Sequence, residues 1–201
     1  MPLKAIIFDF GGVLVRTRSQ HLRETWEIRL GLRAGEASEL VFGGESGRAA
    51  QHGWISDAEH WTYIKRRLGL EDATLAQFRR DFFAEDGIDT DLLTYIDHLR
   101  SGYRVGLLSN ATSDARRFFT ASGIAGHFDA ITISGEEGVM KPDERIYRIA
   151  LARLNVGPNE AIFVDDFSEN VVAARAVGMI GVHFTDPQRA RRELMILTGV
   201  E

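Results

Sequence analysis

Four short stretches carry residue types able to act on a charged small molecule. Asp9 follows the apolar run Ala5-Ile6-Ile7-Phe8 and precedes Gly11-Gly12, where a backbone can turn tightly and approach a ligand closely. A carboxylate so placed can attack phosphorus or carbon; an Asp after a strand can equally cap the turn. Ser109-Asn110 closes Val105-Gly106-Leu107-Leu108, and a hydroxyl with exposed backbone N–H groups suits phosphoryl oxygens as well as an ordinary turn. Lys141 stands before Pro142, which restrains it toward an extended conformation and suits a first helical turn. The chain holds 21 Arg and only three Lys, at 4, 65 and 141, so a lysine retained here is worth a question. Asp165-Asp166 follows Ile162-Phe163-Val164, and adjacent acids at the end of a buried strand repel unless a cation or donors compensate. Oxygen-only ligands, with no Cys and no close His pair, suit Mg²⁺ better than zinc; helix N-capping is the alternative use.

The elements that must position these groups are legible in the hydrophobic pattern. Near-continuous apolar segments at 5–8, 104–108, 130–133, 161–164 and 181–184 read as strands buried on both faces. Helical stripes alternate with the later strands: Leu92, Leu93, Ile96 and Leu99; then Ile146, Ile149, Ala150 and Leu154; then Val171, Val172, Arg175 and Ala176, stopped by Gly178. A helix is also expected over 113–122. This alternation predicts an α/β fold with a parallel sheet and right-handed crossovers. Chemistry in such sheets collects at the carboxyl ends of the strands, which here present Asp9, Ser109-Asn110, Ser134 and Asp165-Asp166, with Lys141 shortly beyond the third.

Residues 15–84 break the rhythm. They hold Trp26, Trp54 and Trp61 and helical patches such as 56–68, with no convincing strand, and read as a helical insertion. Ser56-Asp57-Ala58-Glu59 has capping-box spacing. The expected division is a core of residues 1–15 and 85–201 and an insertion of 16–84. The three tryptophans are expected in the core of the insertion rather than as a sugar platform. His52 and His60 are too far apart for a metal pair on one helix face, and Arg16, Arg18 and Arg48 are candidates to meet substrate.

Composition removes other classes. The 201 residues carry a net charge of −5, with no electrostatic footprint for nucleic acid. The absence of cysteine excludes disulfides, thiolate zinc sites and Cys nucleophiles. No apolar run approaches the roughly 18 residues of a membrane span, and Met-Pro-Leu-Lys leads straight into the first strand without a signal-peptide core. The expectation is a soluble, cytoplasmic protein with neither nucleic acid nor membrane as partner.

Phe8-Asp9-Phe10-Gly11-Gly12-Val13-Leu14, Leu108-Ser109-Asn110, Lys141-Pro142 and Val164-Asp165-Asp166, in this order, resemble the four motifs of the haloacid dehalogenase superfamily. The insertion resembles that superfamily's helical C1 cap. The resemblance implies a Rossmann-like core with helices on both faces, an all-α cap, and hydrolysis of a small phosphorylated metabolite through a phosphoaspartyl intermediate. It implies Asp9 as nucleophile and Ser109 and Lys141 as catalytic phosphoryl-binding groups, with Asn110 beside them. It also implies Mg²⁺ held by Asp9, the Gly11 carbonyl and Asp166, with Asp165 and Asn170 outside that set.

One departure matters. Phosphatases of the superfamily usually carry a second Asp two residues after the nucleophile, as general acid and then base; here that position is Gly11. An Asp-x-Gly subgroup resembling the sugar-1-phosphate phosphatases shares this pattern, which favours a sugar phosphate whose leaving oxygen needs little protonation. Two alternatives follow from the same residues: a catalytically weak or inactive binding or regulatory protein, motivated by Gly11, and a 2-haloacid dehalogenase, a class that resembles this chain but lacks the acid pair. A receiver domain is excluded by chain order, because receivers place their acid pair first.

Overall fold

A computed structural model of the chain describes residues 2–200. Five parallel strands, β1 (Ala5–Phe8), β4 (Arg104–Ser109), β5 (Ala130–Ile133), β6 (Ala161–Asp165) and β7 (Ile180–His183), form one sheet in the order β5-β4-β1-β6-β7. The continuous apolar runs have a direct cause. Successive side chains of a strand point to opposite faces, and here both faces are covered. Ile6 and Phe8 enter one core with Val105, Leu107, Ile162 and Val164, closed by α6 (Thr90–Leu99), α7 (Ala115–Ala121) and α11 (Pro187–Thr198). Ala5 and Ile7 enter the other with Leu108, Ala161 and Phe163, closed by α9 (Glu144–Leu154) and α10 (Ser168–Val177). The α/β class with helices on both faces is what the structure shows.

Several details differ from expectation. Ser109 and Asp165 are the last residues of their strands rather than loop residues, and β7 lies one residue earlier than read. On α10 the buried positions are Asn170, Val171, Ala174 and Val177, whereas Val172 faces solvent. α7 starts two residues later than expected, and Pro142 lies outside any helix: α9 begins at Glu144 with Asp143 as its N-cap, accepting from Arg145 N at 2.9 Å. A one-turn helix, α8 (Ser134–Glu137), follows β5 directly.

Between β1 and β4 the chain forms α1 (His21–Leu30), α2 (Glu36–Phe42), α3 (Gly44–Gln51), α4 (Asp57–Leu68) and α5 (Asp72–Ala84). Their core is separate from the sheet's and gathers Trp26, Val41, Trp61, Ile64, Phe78 and Phe82. The capping box read at Ser56 is present: Glu59 N donates to Ser56 Oγ at 3.2 Å and Ser56 N to Glu59 Oε2 at 2.7 Å. Trp26 and Trp61 are core residues, but Trp54 is 72% exposed in the α3–α4 loop, where its ring stacks on His52. Two short strands that the sequence pattern concealed, β2 (Val15–Thr17) and β3 (Asp86–Ile88), pair antiparallel where the chain enters and leaves the helices. Three half-buried residues are too few for an alternation to register.

His60 ties α2, α3 and α4 together. Its Nε2–H donates to Val41 O at 3.0 Å, so Nδ1 is the acceptor for the Ser46 hydroxyl at 2.8 Å. Burial holds the imidazole below its ordinary value of 6.5; the Val41 carbonyl and Asp57 pull it back up and Arg79 pushes it further down. Below pH 6.5 the unfolded chain therefore takes a proton that the folded state refuses, and this contribution to stability is lost as pH falls. His60→Gln should cost about 1–3 kcal/mol near pH 7.5. Urea midpoints should show the wild-type advantage shrinking at pH 5; a pH-independent advantage would mean that His60 does not titrate as described.

Candidate active site

Strand ends bring the candidates to one edge. Phe8 pairs with Leu107 and Val164, so Asp9 emerges between Ser109 on β4 and Asp165 on β6. Asp9 N donates to Val164 O at 2.8 Å, holding the turn after β1 against β6. Lys141 arrives from the loop after α8 and is almost wholly buried. Its Nζ lies 2.7 Å from Asp9 Oδ1 and 2.7 Å from Asp165 Oδ2, and 5.5 Å from the centre of the Phe163 ring.

Lys141 is placed by its backbone. Its N–H donates to Asn110 Oδ1 at 2.8 Å and its carbonyl accepts from Asn110 Nδ2 at 2.9 Å. Both ends of the Asn110 amide thereby engage the Lys141 backbone, so the expected phosphate-binding use of residue 110 falls to its backbone N–H. The scarcity of lysine pointed to Lys141, but nothing in the sequence paired it with Asn110.

The two neighbouring acids differ completely. Asp165 is saturated: Oδ1 accepts from Phe167 N at 2.8 Å and Asn170 Nδ2 at 3.0 Å, Oδ2 from Lys141 at 2.7 Å and Asn170 Nδ2 at 3.1 Å. Asn170 is in turn anchored where its carbonyl accepts from the Tyr147 hydroxyl at 2.9 Å. Asp166 Oδ1, by contrast, is buried with no hydrogen-bond partner among the described residues. A buried anionic oxygen left bare is costly unless something cationic meets it. One oxygen each from Asp9, Asp165 and Asp166 lie within 4.8 Å of one another. His183, overlooked in the sequence because it was read as a strand interior, donates from Nε2 to Asp166 O at 2.9 Å and steadies that loop.

Electrostatics follow from this crowding. Burial pushes the Asp9 carboxyl up to about 7, with Lys141 pulling it down and Asp165 pushing it further up. Burial and Asp165 raise Asp166. Burial works against the charge on Lys141, but Asp9 and Asp165 outweigh it and hold the ammonium above its ordinary value. Three carboxylates thus face one ammonium.

The paired glycines divide two roles. A Cβ on Gly12, whose φ is 77°, would sit 2.0 Å from Asp166 Oδ2, so this position is glycine because Asp166 crosses it. A Cβ on Gly11 would meet nothing within 4 Å, and its φ lies outside the left-handed region. The side chain missing at 11 leaves space, not strain. Of the arginine candidates, Arg16 pairs with Asp89, and Arg16 and Arg18 line an open groove of about 490 Å³ beside β2 and β3. Arg48 lies on the exposed side of α3.

The profile of haloacid dehalogenase-like hydrolases matches residues 3–178. The chain belongs to this family. It is 29% identical over 199 residues to a sesquiterpene phosphatase of Aspergillus oryzae, covering 98% of this chain and 97% of that one. It is 28% identical over 208 residues to a D-ribitol-5-phosphate phosphatase of Bacteroides thetaiotaomicron, covering 97% and 98%. A family enzyme from Bacteroides thetaiotaomicron, solved with magnesium and inorganic phosphate, superposes with a TM-score of 0.76 at 22% identity over 90% of this chain and 93% of that one, which shows a shared fold. The Rossmann-like core of this hydrolase is therefore the family's.

The two glycines give a direct check. Gly12→Ala should lose at least about 1–2 kcal/mol from the left-handed backbone alone and further stability from displacing Asp166. Gly11→Ala should stay within about 0.5 kcal/mol of wild type in thermal unfolding. Equal losses would remove the distinction between them.

Proposed function

We propose that this hydrolase is a magnesium-dependent phosphatase that transfers the phosphoryl group of a small metabolite, a sugar phosphate by preference, to Asp9 and then to water. The observation that carries the reading is Lys141, buried between Asp9 and Asp165 at the sheet edge, beside an unpartnered Asp166 oxygen. Residues 16–84 serve as the cap.

The donor set suits a hard divalent cation. Asp9 and Asp166 supply carboxylate oxygens, the Gly11 carbonyl lies between them in the chain, and Asp165, its oxygens already taken, holds the others in place. Magnesium bound there would offset the repulsion between the carboxylates and an incoming phosphate. The chain's own groups do the rest. An Asp9 oxygen attacks phosphorus, forming the aspartyl–phosphate bond as the bond to the leaving oxygen breaks. Ser109 and Lys141 hold the phosphoryl oxygens, and Lys141 meets the charge that builds on them. Water then attacks phosphorus, releasing inorganic phosphate and restoring the Asp9 carboxylate. Neither step finds a side-chain acid or base at Gly11, so the leaving group and the attacking water exchange protons without a carboxylate there.

The preference for a sugar phosphate draws support from this gap, since an anomeric leaving oxygen needs little protonation; the polyol phosphate of the Bacteroides relative, with an ordinary alkoxide leaving oxygen, supports only the wider class of small carbohydrate-like phosphates. The exposed ring of Trp54 is a further aromatic surface of the kind sugars stack on; it belongs to a loop that touches the sheet's carboxyl edge, where Gln51 O accepts from Ser134 Oγ at 2.6 Å.

Purified protein should release phosphate from sugar phosphates with magnesium and stop in EDTA. Asp9→Asn should abolish turnover, and Asp9→Asn protein that stays fully active would sink the mechanism. Lys141→Ala should lose on the order of 10²–10³-fold in kcat, whereas Lys65→Ala, at a solvent-facing pair with Asp72, should change little.

At Gly11 a Cβ meets nothing within 4 Å and the backbone is not left-handed, so Gly11→Asp is the direct test of the missing acid. It should gain up to about 10²-fold on an alkyl phosphate and less on a sugar 1-phosphate. No gain on either, with folding and magnesium response intact, would show that the absent carboxylate is not what limits the enzyme.

A further inference from the structure

Ser134, which the sequence places at the end of β5, takes part in no step above, yet its side chain is completely buried and links two distant segments. Ala111 N donates to Ser134 Oγ at 3.0 Å. Ser134 Oγ donates its single proton to Gln51 O at 2.6 Å, in preference to the Ala111 carbonyl at 3.2 Å, which accepts from Gly135 N at 3.0 Å. Ala111 adjoins Ser109-Asn110. Gln51 is the last residue of α3, in the helical insertion. One hydroxyl is therefore acceptor for the phosphate-binding loop and donor to the cap.

Backbone packing closes the same joint. A Cβ on Gly53 would lie 2.2 Å from Gly135 O, and a Cβ on Gly135 would lie 2.7 Å from Ser113 N and 2.8 Å from Ala111 O. The two glycines let three backbone segments meet at distances that a side chain would forbid. Thr112 Oγ1 donates to Asp57 Oδ1 at 3.4 Å beside this contact.

We propose that Ser134 is a positioning residue that couples the seating of the cap to the shape of the phosphate-binding loop 109–111. The coupling rests on the phosphatase reading above for its functional meaning. Phosphate held at Ser109 steadies loop 109–111, and through Ser134 the steadied loop favours the seated cap. By linkage, a seated cap strengthens phosphate binding by the same factor. Asp9, Lys141 and Asp166 are not touched, so the contribution is made equally before and during phosphoryl transfer.

A buried hydrogen bond of this kind is worth on the order of tenfold in binding. Ser134→Ala should raise KM for a sugar phosphate by about tenfold and weaken inhibition by inorganic phosphate in parallel, while kcat falls less than about threefold, the signature of lost uniform binding. Ser134→Thr, which keeps the hydroxyl, should restore KM. Gly53→Ala keeps the Ser134 hydroxyl and drives a Cβ from the other segment against Gly135 O; it should weaken inhibition by inorganic phosphate, and combined with Ser134→Ala should give less than the product of the single effects. Amide hydrogen exchange on the unliganded Ser134→Ala protein should accelerate both at Ala111 and across residues 51–55.

A lowered melting temperature with KM and phosphate inhibition unchanged, or faster exchange on one side of the joint only, would overturn the coupling. Wild-type protein that hydrolyses no ester would instead remove the phosphatase reading, while the exchange measurement would still decide whether Ser134 joins the two segments.

Discussion

Lys141 lies 2.7 Å from Asp9 and 2.7 Å from Asp165 in a site that excludes most water. Ionised groups are buried only where partners replace the lost hydration, and removing one member of such a set leaves the rest uncompensated. Much of the sheet edge serves this constraint. Asn110 fixes the lysine's backbone from both sides. Asn170 and the Phe167 N–H saturate Asp165, so that it can stand against the lysine without drawing a cation to itself. What remains unbalanced is Asp166, and the imbalance itself is what suits the place to a divalent cation.

The tight turn after β1 shows how closely backbone and charge are linked. Gly12 yields its side-chain space to the Asp166 carboxylate, while Gly11 yields its own to nothing. Gly11 brings no ionisable side chain to the turn; Gly12 permits the Asp166 carboxylate to cross beside Asp9. The neighbouring aromatic, Phe10, packs edge-on against Phe119 with ring centres 4.7 Å apart, so the turn after Asp9 is braced from the side of α7.

The helical insertion has its own aromatic core, joins the sheet domain at the β2–β3 pair, and touches it where Gly53 meets Gly135 and where Gln51, His52 and Asp57 bond to Ser134, Gly138 and Thr112. A unit that buries its apolar residues internally can shift against its neighbour without exposing either core, and the small number of hydrogen bonds between them sets how firmly it sits. One of those bonds is made by a buried hydroxyl, Ser134, that also accepts from Ala111 N in the loop after β4, so the insertion and that loop share a single joint.

The α/β class, the five strands to within a residue, the helical insertion and the acids at the strand ends were all legible in the chain, because they rest on local pattern: continuous apolar runs mean strands covered on both faces, and polar residues that close such runs must surface at one edge. The pairs β2 and β3 were not, since three half-buried residues carry no periodicity. Nor was the exposure of Trp54, because an aromatic among helices reads as core until the loop that holds it is placed. The roles within the acid pair were equally hidden. Asp165 and Asp166 are the same residue type one position apart; their difference comes from where β6 ends, since Asp165, its last residue, meets Lys141 and Asn170 while Asp166 lies in the loop beyond with one oxygen bare. The Asn110–Lys141 and Ser134–Gln51 links join residues 31 and 83 positions apart. Local sequence determines which groups can bond. Which of them meet is decided by crossover connections that bring remote strand ends within hydrogen-bonding distance, and those distances exist only in the folded chain.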